Sequence, residues 1–149
     1  MGSAAEYVCL PHNPDFISGE KATTSYQAYI YGSEYEDNVF GNNLYNKDVP
    51  CAVCISNMAN TIIMIPGKSV CINGWKKEYN GRLASQASSN VKFRAAGQYV
   101  CVDHNPTPLE GGSDNKEGKL FYPVHAICGS LRCPPYVNNE LLTCVVCSK

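Results

Sequence analysis

Apolar and polar positions alternate over short stretches in this chain, and helical periodicity is weak throughout. The runs Tyr7–Leu10, Tyr26–Tyr31, Val49–Ile55, Thr61–Ile65, Trp75–Leu83, Tyr99–Val102, Leu120–Ala126 and Leu141–Val146 are rich in Tyr, Val, Ile and Thr. Clusters of Gly, Asn, Pro and Asp separate them, which is the pattern of short strands joined by turns and loops. Asn73-Gly74 and Asn80-Gly81 read as turns on either side of Trp75–Tyr79. Gly111-Gly112-Ser113-Asp114-Asn115-Lys116-Glu117-Gly118 reads as an exposed loop, and Pro134-Pro135 marks another irregular segment. The pattern predicts an all-β, disulfide-rich single domain with long loops.

A duplication runs through this pattern. Tyr7-Val8-Cys9 with His12-Asn13-Pro14 returns 92 residues later as Tyr99-Val100-Cys101 with His104-Asn105-Pro106. Cys51-Ala52-Val53-Cys54 returns 93 residues later as Cys144-Val145-Val146-Cys147. The expected organisation of residues 1–149 is therefore two related halves, 7–56 and 99–149, linked by 57–98. The halves are unequal. Ile62–Lys68, Cys71 and Gly74-Trp75 precede the second copy with no counterpart before Tyr7, and Cys128 and Cys133 occur in the second copy alone.

Nine cysteines in 149 residues point to disulfides or to metal ligands. A zinc site on Cys51, Cys54, Cys144 and Cys147 has suitable ligand types, but the two pairs lie much farther apart than in compact zinc modules. A redox Cys-x-x-Cys opens a helix, whereas both copies here sit among β-branched and apolar residues. Disulfides are the favoured reading. Comparison of the copies suggests Cys9–Cys54 and Cys101–Cys147 as equivalent bonds, Cys71–Cys144 in the second copy, and Cys128–Cys133 around a short loop. That leaves Cys51 over, as a candidate intermolecular disulfide or a buried thiol.

The formal net charge of −1 argues against nucleic acid or an anionic membrane as partner. No apolar run approaches the roughly 20 residues that span a bilayer. Met1–Ala5 lacks an apolar core, so no signal peptide is visible, and the start reads as an initiator joined to a mature protein.

Several motifs carry a resemblance. Tyr29–Tyr35, Asp48-Val49-Pro50-Cys51-Ala52-Val53-Cys54, Met64-Ile65-Pro66-Gly67, Gly74-Trp75, Leu120–Val124, Cys133-Pro134-Pro135-Tyr136 and Leu142–Cys147 resemble the C-terminal region of the short-chain, spongin-like collagens of marine invertebrates. The likeness covers nearly the whole chain, although no Gly-X-Y repeat is present. The chain is also similar to the stand-alone calcium-dependent galactose-binding lectin of sea anemones. The resemblance implies a secreted, extracellular, lectin-like domain that needs Ca2+, binds galactose-containing glycans and forms homodimers. Two departures stand out: the N-terminal segment common in the collagens is absent, and His125 occupies the position matching Glu34, where the family usually has Glu.

A calcium-bridged sugar site takes six to eight oxygen ligands, two of which can be neighbouring sugar hydroxyls. The richest oxygen cluster is Glu34-Tyr35-Glu36-Asp37-Asn38, followed by Asn42, Asn43 and Asp48. Its plain alternative is a solvated acidic loop. A second cluster is Asp103-His104-Asn105 with Glu110, Asp114, Asn115 and Glu117. Asp103 follows Cys101 closely, and Pro11 occupies the matching place in the first copy. The repeated His-Asn-Pro favours a turn over ligand roles for His104 and Asn105. Candidate metal ligands are therefore Glu34, Glu36, Asp37, Asp48 and Asp103, and candidate sugar contacts are Glu34, Tyr35, Glu36, Asp103 and Tyr136. Tyr35, Tyr45 and Tyr136 are placed in loops to stack on a sugar ring. Trp75, the single tryptophan, reads as core more readily than as a platform.

Catalysis has thin support. A Cys–His nucleophile would need a reduced cysteine beside His12, His104 or His125, and paired carboxylates alone do not specify glycoside cleavage. The leading expectation is a non-enzymatic lectin for terminal galactose, and the runner-up is a structural module for extracellular-matrix assembly.

Overall fold

The computed structural model describes residues 6–17, 30–86, 97–116 and 118–149. The architecture is all-β. In chain order the elements are β1 (Ser33–Tyr35), a 3-10 turn (Asn38–Phe40), β2 (Lys47–Asp48), β3 (Ile62–Pro66), β4 (Lys76–Ser85), β5 (Val100–Asp103), β6 (Lys119–Pro123) and β7 (Thr143–Ser148). They form one sheet in the order β2-β1-β6-β4-β7-β3, with β5 also pairing with β4. All pairings are antiparallel except β1 with β6. Among the described residues no helix is long and apolar enough to cross a membrane.

The organising strand is β4. One edge pairs with β7, from Lys76↔Ser148 to Arg82↔Thr143. Its other edge pairs with β5 over Gly81–Ala84, and its end meets β6 at Ala84↔Pro123. Asn80-Gly81, expected to turn the chain, lies instead in the middle of this strand. The glycine serves a different purpose there. A Cβ at Gly81 would stand 1.8 Å from the carbonyl oxygen of Val102, so only glycine allows β5 to approach this closely. Asn73-Gly74 does form a turn, with Gly74 at φ 83°.

The core gathers Tyr35, Phe40, Leu44, Ala84, Val102 and Phe121, with Tyr7, Val39, Val49 and Val100 packed against it. Tyr7 meets Phe121 edge-on at 5.3 Å between ring centroids, so the N-terminal segment is anchored by packing rather than by the strand expected over Tyr7–Leu10. A second buried region follows β7, where Cys144, Val145 and Cys147 are wholly buried between β3 and β4.

The two Cys-x-x-Cys segments have different fates. The second is strand β7. The first, within the strand expected over Val49–Ile55, forms no strand, and Val53 and Ile55 are 82% and 90% exposed. The residue types are alike, but only the second copy has a strand on each side to satisfy its backbone. Of the strand expected over Tyr26–Tyr31, residues 26–29 lie outside those described, and Ile30 and Tyr31 are not strand.

Four disulfides join Cys9–Cys51, Cys71–Cys147, Cys101–Cys144 and Cys128–Cys133. The Cys128–Cys133 expectation agrees. The other three expected pairings are corrected: Cys51 bonds Cys9 and is not the spare cysteine, and the exposed free thiol is Cys54. The reason lies in strand geometry. Cys144 and Cys147 are three residues apart on β7, so their side chains leave opposite faces, one toward Cys101 on β5 and the other toward Cys71 before β4. The bonds Cys9–Cys51 and Cys101–Cys144 each join a Tyr-Val-Cys cysteine to the first cysteine of a Cys-x-x-Cys, whose second cysteine is Cys54 in one case and Cys147 in the other.

Two measurements check this framework. Peptide mapping without reduction should recover the four bonds above, with Cys54 alone alkylated in the folded protein. Gly81→Ala should lower unfolding free energy by about 3 kcal/mol or more, since the clash is with backbone. Gly74→Ala, where a methyl meets open space, should cost about 1–2 kcal/mol through its left-handed backbone. Denaturant midpoints followed by Trp75 fluorescence compare the two.

Candidate functional site

The acidic cluster lies at the β2–β1 edge of the sheet. Glu34 faces Asp48 across the antiparallel β1–β2 pair, which puts both carboxylates on one face at neighbouring positions. Successive residues of a strand point oppositely. Tyr35 accordingly enters the core on the other face, 3% exposed, with its ring against Phe40 and its hydroxyl donating to the Thr107 carbonyl at 3.2 Å.

Glu34 is also only 3% exposed. The segment 107–116 runs along this sheet edge and contributes to its cover. The backbone amide of Lys116 donates to Glu34 Oε1 at 3.0 Å. The Leu109 amide donates to the Asp48 carbonyl at 2.8 Å, and the Asp48 amide donates to the Gly112 carbonyl at 3.2 Å. The loop expected to be exposed is thus partly a covering wall, with Gly112 buried against Asp48.

Among the described residues, Glu34 Oε2 and, just before β2, Asn46 Oδ1 are buried oxygens at this edge without a hydrogen-bond partner. The described ion pairs, Lys76–Glu78 and Lys116–Asp114, do not involve Glu34. For a buried carboxyl with one oxygen left without a donor, a cation bound by oxygens is a natural compensation. Among the described residues no three carboxylate, imidazole or thiol groups converge tightly enough to hold an ion by themselves. Oxygen-ligated ions also accept amide and backbone carbonyls, so Glu34, Asp48 and Asn46 carry oxygens of a suitable type along this edge. Glu36 lies two residues beyond Glu34 and is half-buried.

The remaining sequence candidates are not brought to this place or are occupied locally. Asp37 caps the 3-10 turn, its Oδ1 accepting from the Val39 amide at 2.7 Å. Asp103 is exposed on β5 and its Oδ1 accepts from the Asn105 amide at 2.8 Å, so the Asp103-His104-Asn105 stretch is a turn. Tyr136 lies near Gly67 at the end of β3, and β3 is at the opposite end of the strand order from β2 and β1. Tyr35 is a core residue rather than a sugar platform. Trp75 is half-buried at the start of β4. Tyr45 remains exposed on the connection leading into β2. Glu110, Asp114 and Asn115 are exposed, and Glu117 lies outside the described residues.

Sequence reasoning missed Asn46, Gly112 and the Lys116 amide. A backbone donor leaves no trace in residue type, and Gly112 looked like any loop glycine. No protein-family model, curated protein or solved structure matches the chain. What the fold defines is a disulfide-bonded all-β domain with a buried acidic edge.

The phenols give a pH test of this packing. Burial raises the pKa of Tyr7, Tyr35 and Tyr79, and the negative charge of Asp103 raises the last two further. The folded state therefore holds these protons at a pH where the unfolded chain releases them. Stability should be unaffected by these groups below the ordinary value of 10.0 and fall as pH rises above it. Absorbance at the phenolate band should show a fraction of the tyrosines ionising late in the native protein and normally in denaturant.

Proposed function

We propose that this protein is a secreted, calcium-dependent carbohydrate-binding protein for terminal galactose, working by recognition alone. The observation that carries the reading is the buried Glu34 carboxylate, with one oxygen lacking a donor, facing Asp48 at a sheet edge. The resemblance to the sea anemone galactose lectin and the disulfide framework support it further.

Glu34, Asp48 and Asn46 would hold the ion, with Glu36 adjacent. Bound calcium supplies coordination sites that two neighbouring sugar hydroxyls can fill in place of water. The chain's own carboxylates then orient those hydroxyls by accepting hydrogen bonds, and Tyr45 offers an exposed aromatic face for the apolar side of the ring. Asp37, Asp103, Tyr35 and Tyr136 fall outside this site. One monosaccharide contact is weak, so binding at a cell surface gains from a homodimer that raises the effective concentration of the second site.

The second reading is a module for extracellular-matrix assembly. It is favoured by the exposed thiol of Cys54 beside Val53 and Ile55 and near Met58, which is 92% exposed. In either reading a covalent dimer would run through Cys54, since Cys51 is bonded to Cys9.

Retention on galactose resin, with and without a chelator, separates the readings. The lectin predicts retention that chelator abolishes and calcium restores. Glu34→Gln should weaken retention about tenfold or more, as expected on losing one charged ligand, while Asp103→Asn, which keeps its turn, should be nearly silent. Retention indifferent to chelator would eliminate the calcium bridge, and no retention at all would favour the assembly module.

A further inference from the structure

We propose that the segment 107–116 is coupled to cation binding at the Glu34–Asp48 edge, and that Gly112 is a positioning residue for Asp48. This rests on the reading that the edge binds calcium, and it adds to that reading a residue and a conformational linkage.

The segment is tied to both acidic residues by main-chain bonds at separated points. Lys116 N–H holds Glu34 Oε1, while Leu109 and Gly112 bracket the backbone of Asp48. Its ends are therefore fastened to the two residues that would share an ion. With Glu34 only 3% exposed, its unpartnered Oε2 has to be reached by displacing part of its cover. Glu34 and Asp48 would share the ion, and the segment fastened to both would then be held against them. Coupling of this kind is reciprocal: whatever loosens the segment weakens the ion by the same factor.

Gly112 sets how closely the segment lies on Asp48. A Cβ there would come within 2.5 Å of Asp48 Cβ and 2.6 Å of its Oδ2. The backbone of Gly112 is not in the left-handed region, so alanine is conformationally acceptable and its methyl acts by forcing the segment and Asp48 apart. The neighbouring Gly111 is the opposite case, with φ 76° and open space where a methyl would stand, so its role is purely conformational. Asparagine tolerates that backbone, which makes Gly111→Asn the matched control.

The experiment uses the full chain with calcium chloride as the probe. Calorimetry measures binding, and amide hydrogen exchange with mass-spectrometric detection measures the segment. The expected result is that calcium slows exchange of peptides spanning 107–116 about tenfold, within the usual range of coupling, and leaves β7 unchanged. Gly112→Ala should lower calcium affinity by about 10–100-fold, the size typical of a lost supporting contact, with an unaltered circular dichroism spectrum. Gly111→Asn should bind as the parent does. Should Gly112→Ala fail to fold, Lys116→Pro, which removes the amide held by Glu34, should lower affinity similarly. Calcium heat without protection of 107–116, or parental affinity in the folded variant, overturns the coupling while sparing the calcium reading. Absence of calcium heat in the parent chain overturns both.

Discussion

The close approach of β5 to β4 at Gly81 is the constraint on which the rest of this fold depends. Neighbouring strands lie about 4.8 Å apart, so in a flat sheet β5 and β7, on either edge of β4, would be separated by about twice that distance. The Cα atoms of Cys101 on β5 and Cys144 on β7 are nevertheless 5.6 Å apart. The strands must therefore curl toward each other around β4, and the crowding falls where Gly81 pairs with both Asp103 and Cys144. A side chain at this point would meet the Val102 carbonyl. The absence of one lets a disulfide lock the curl, and Val102 then turns into the core beside Ala84 and Phe121.

From this curled centre the sheet extends to edges that are finished differently. At one end β3 covers β7 and buries Val145 and both cysteines of the second Cys-x-x-Cys. At the other end β2 and β1 are short, and the chain closes the edge with backbone from 107–116 instead of another strand. An exposed ladder is thus avoided. This way of closing the edge also buries Glu34, which as a surface residue would be an ordinary solvated acid. The chemical interest of the site follows from the covering segment: among the described residues it gives the Glu34 carboxyl one hydrogen bond and leaves the other oxygen without a donor.

The two Cys-x-x-Cys motifs show how far similar residues can diverge in structure. Cys144-Val145-Val146-Cys147 has strand partners on both sides, and Cys51-Ala52-Val53-Cys54 has neither. The bonds Cys9–Cys51 and Cys101–Cys144 keep the same correspondence, but the partner that Cys71 gives to Cys147 has no equivalent for Cys54. The free thiol of Cys54 and its exposed apolar neighbours Val53 and Ile55 therefore lie outside the sheet.

The sequence by itself determined the all-β class, the positions of β3, β4, β5, β6 and β7 to within a few residues, the disulfide-rich character and the acidic run containing Glu34. These are local properties: strand-forming residues, turn residues and cysteine density need no knowledge of neighbours. Tertiary structure alone decided which strand-like segments became strands, because a strand exists only where a partner accepts its hydrogen bonds. It also decided which face of β7 each cysteine left from, and hence the pairing. The same holds for the acids: residue type could not separate Asp37 and Asp103, which cap their own turns, from Glu34, which a segment some eighty residues away encloses.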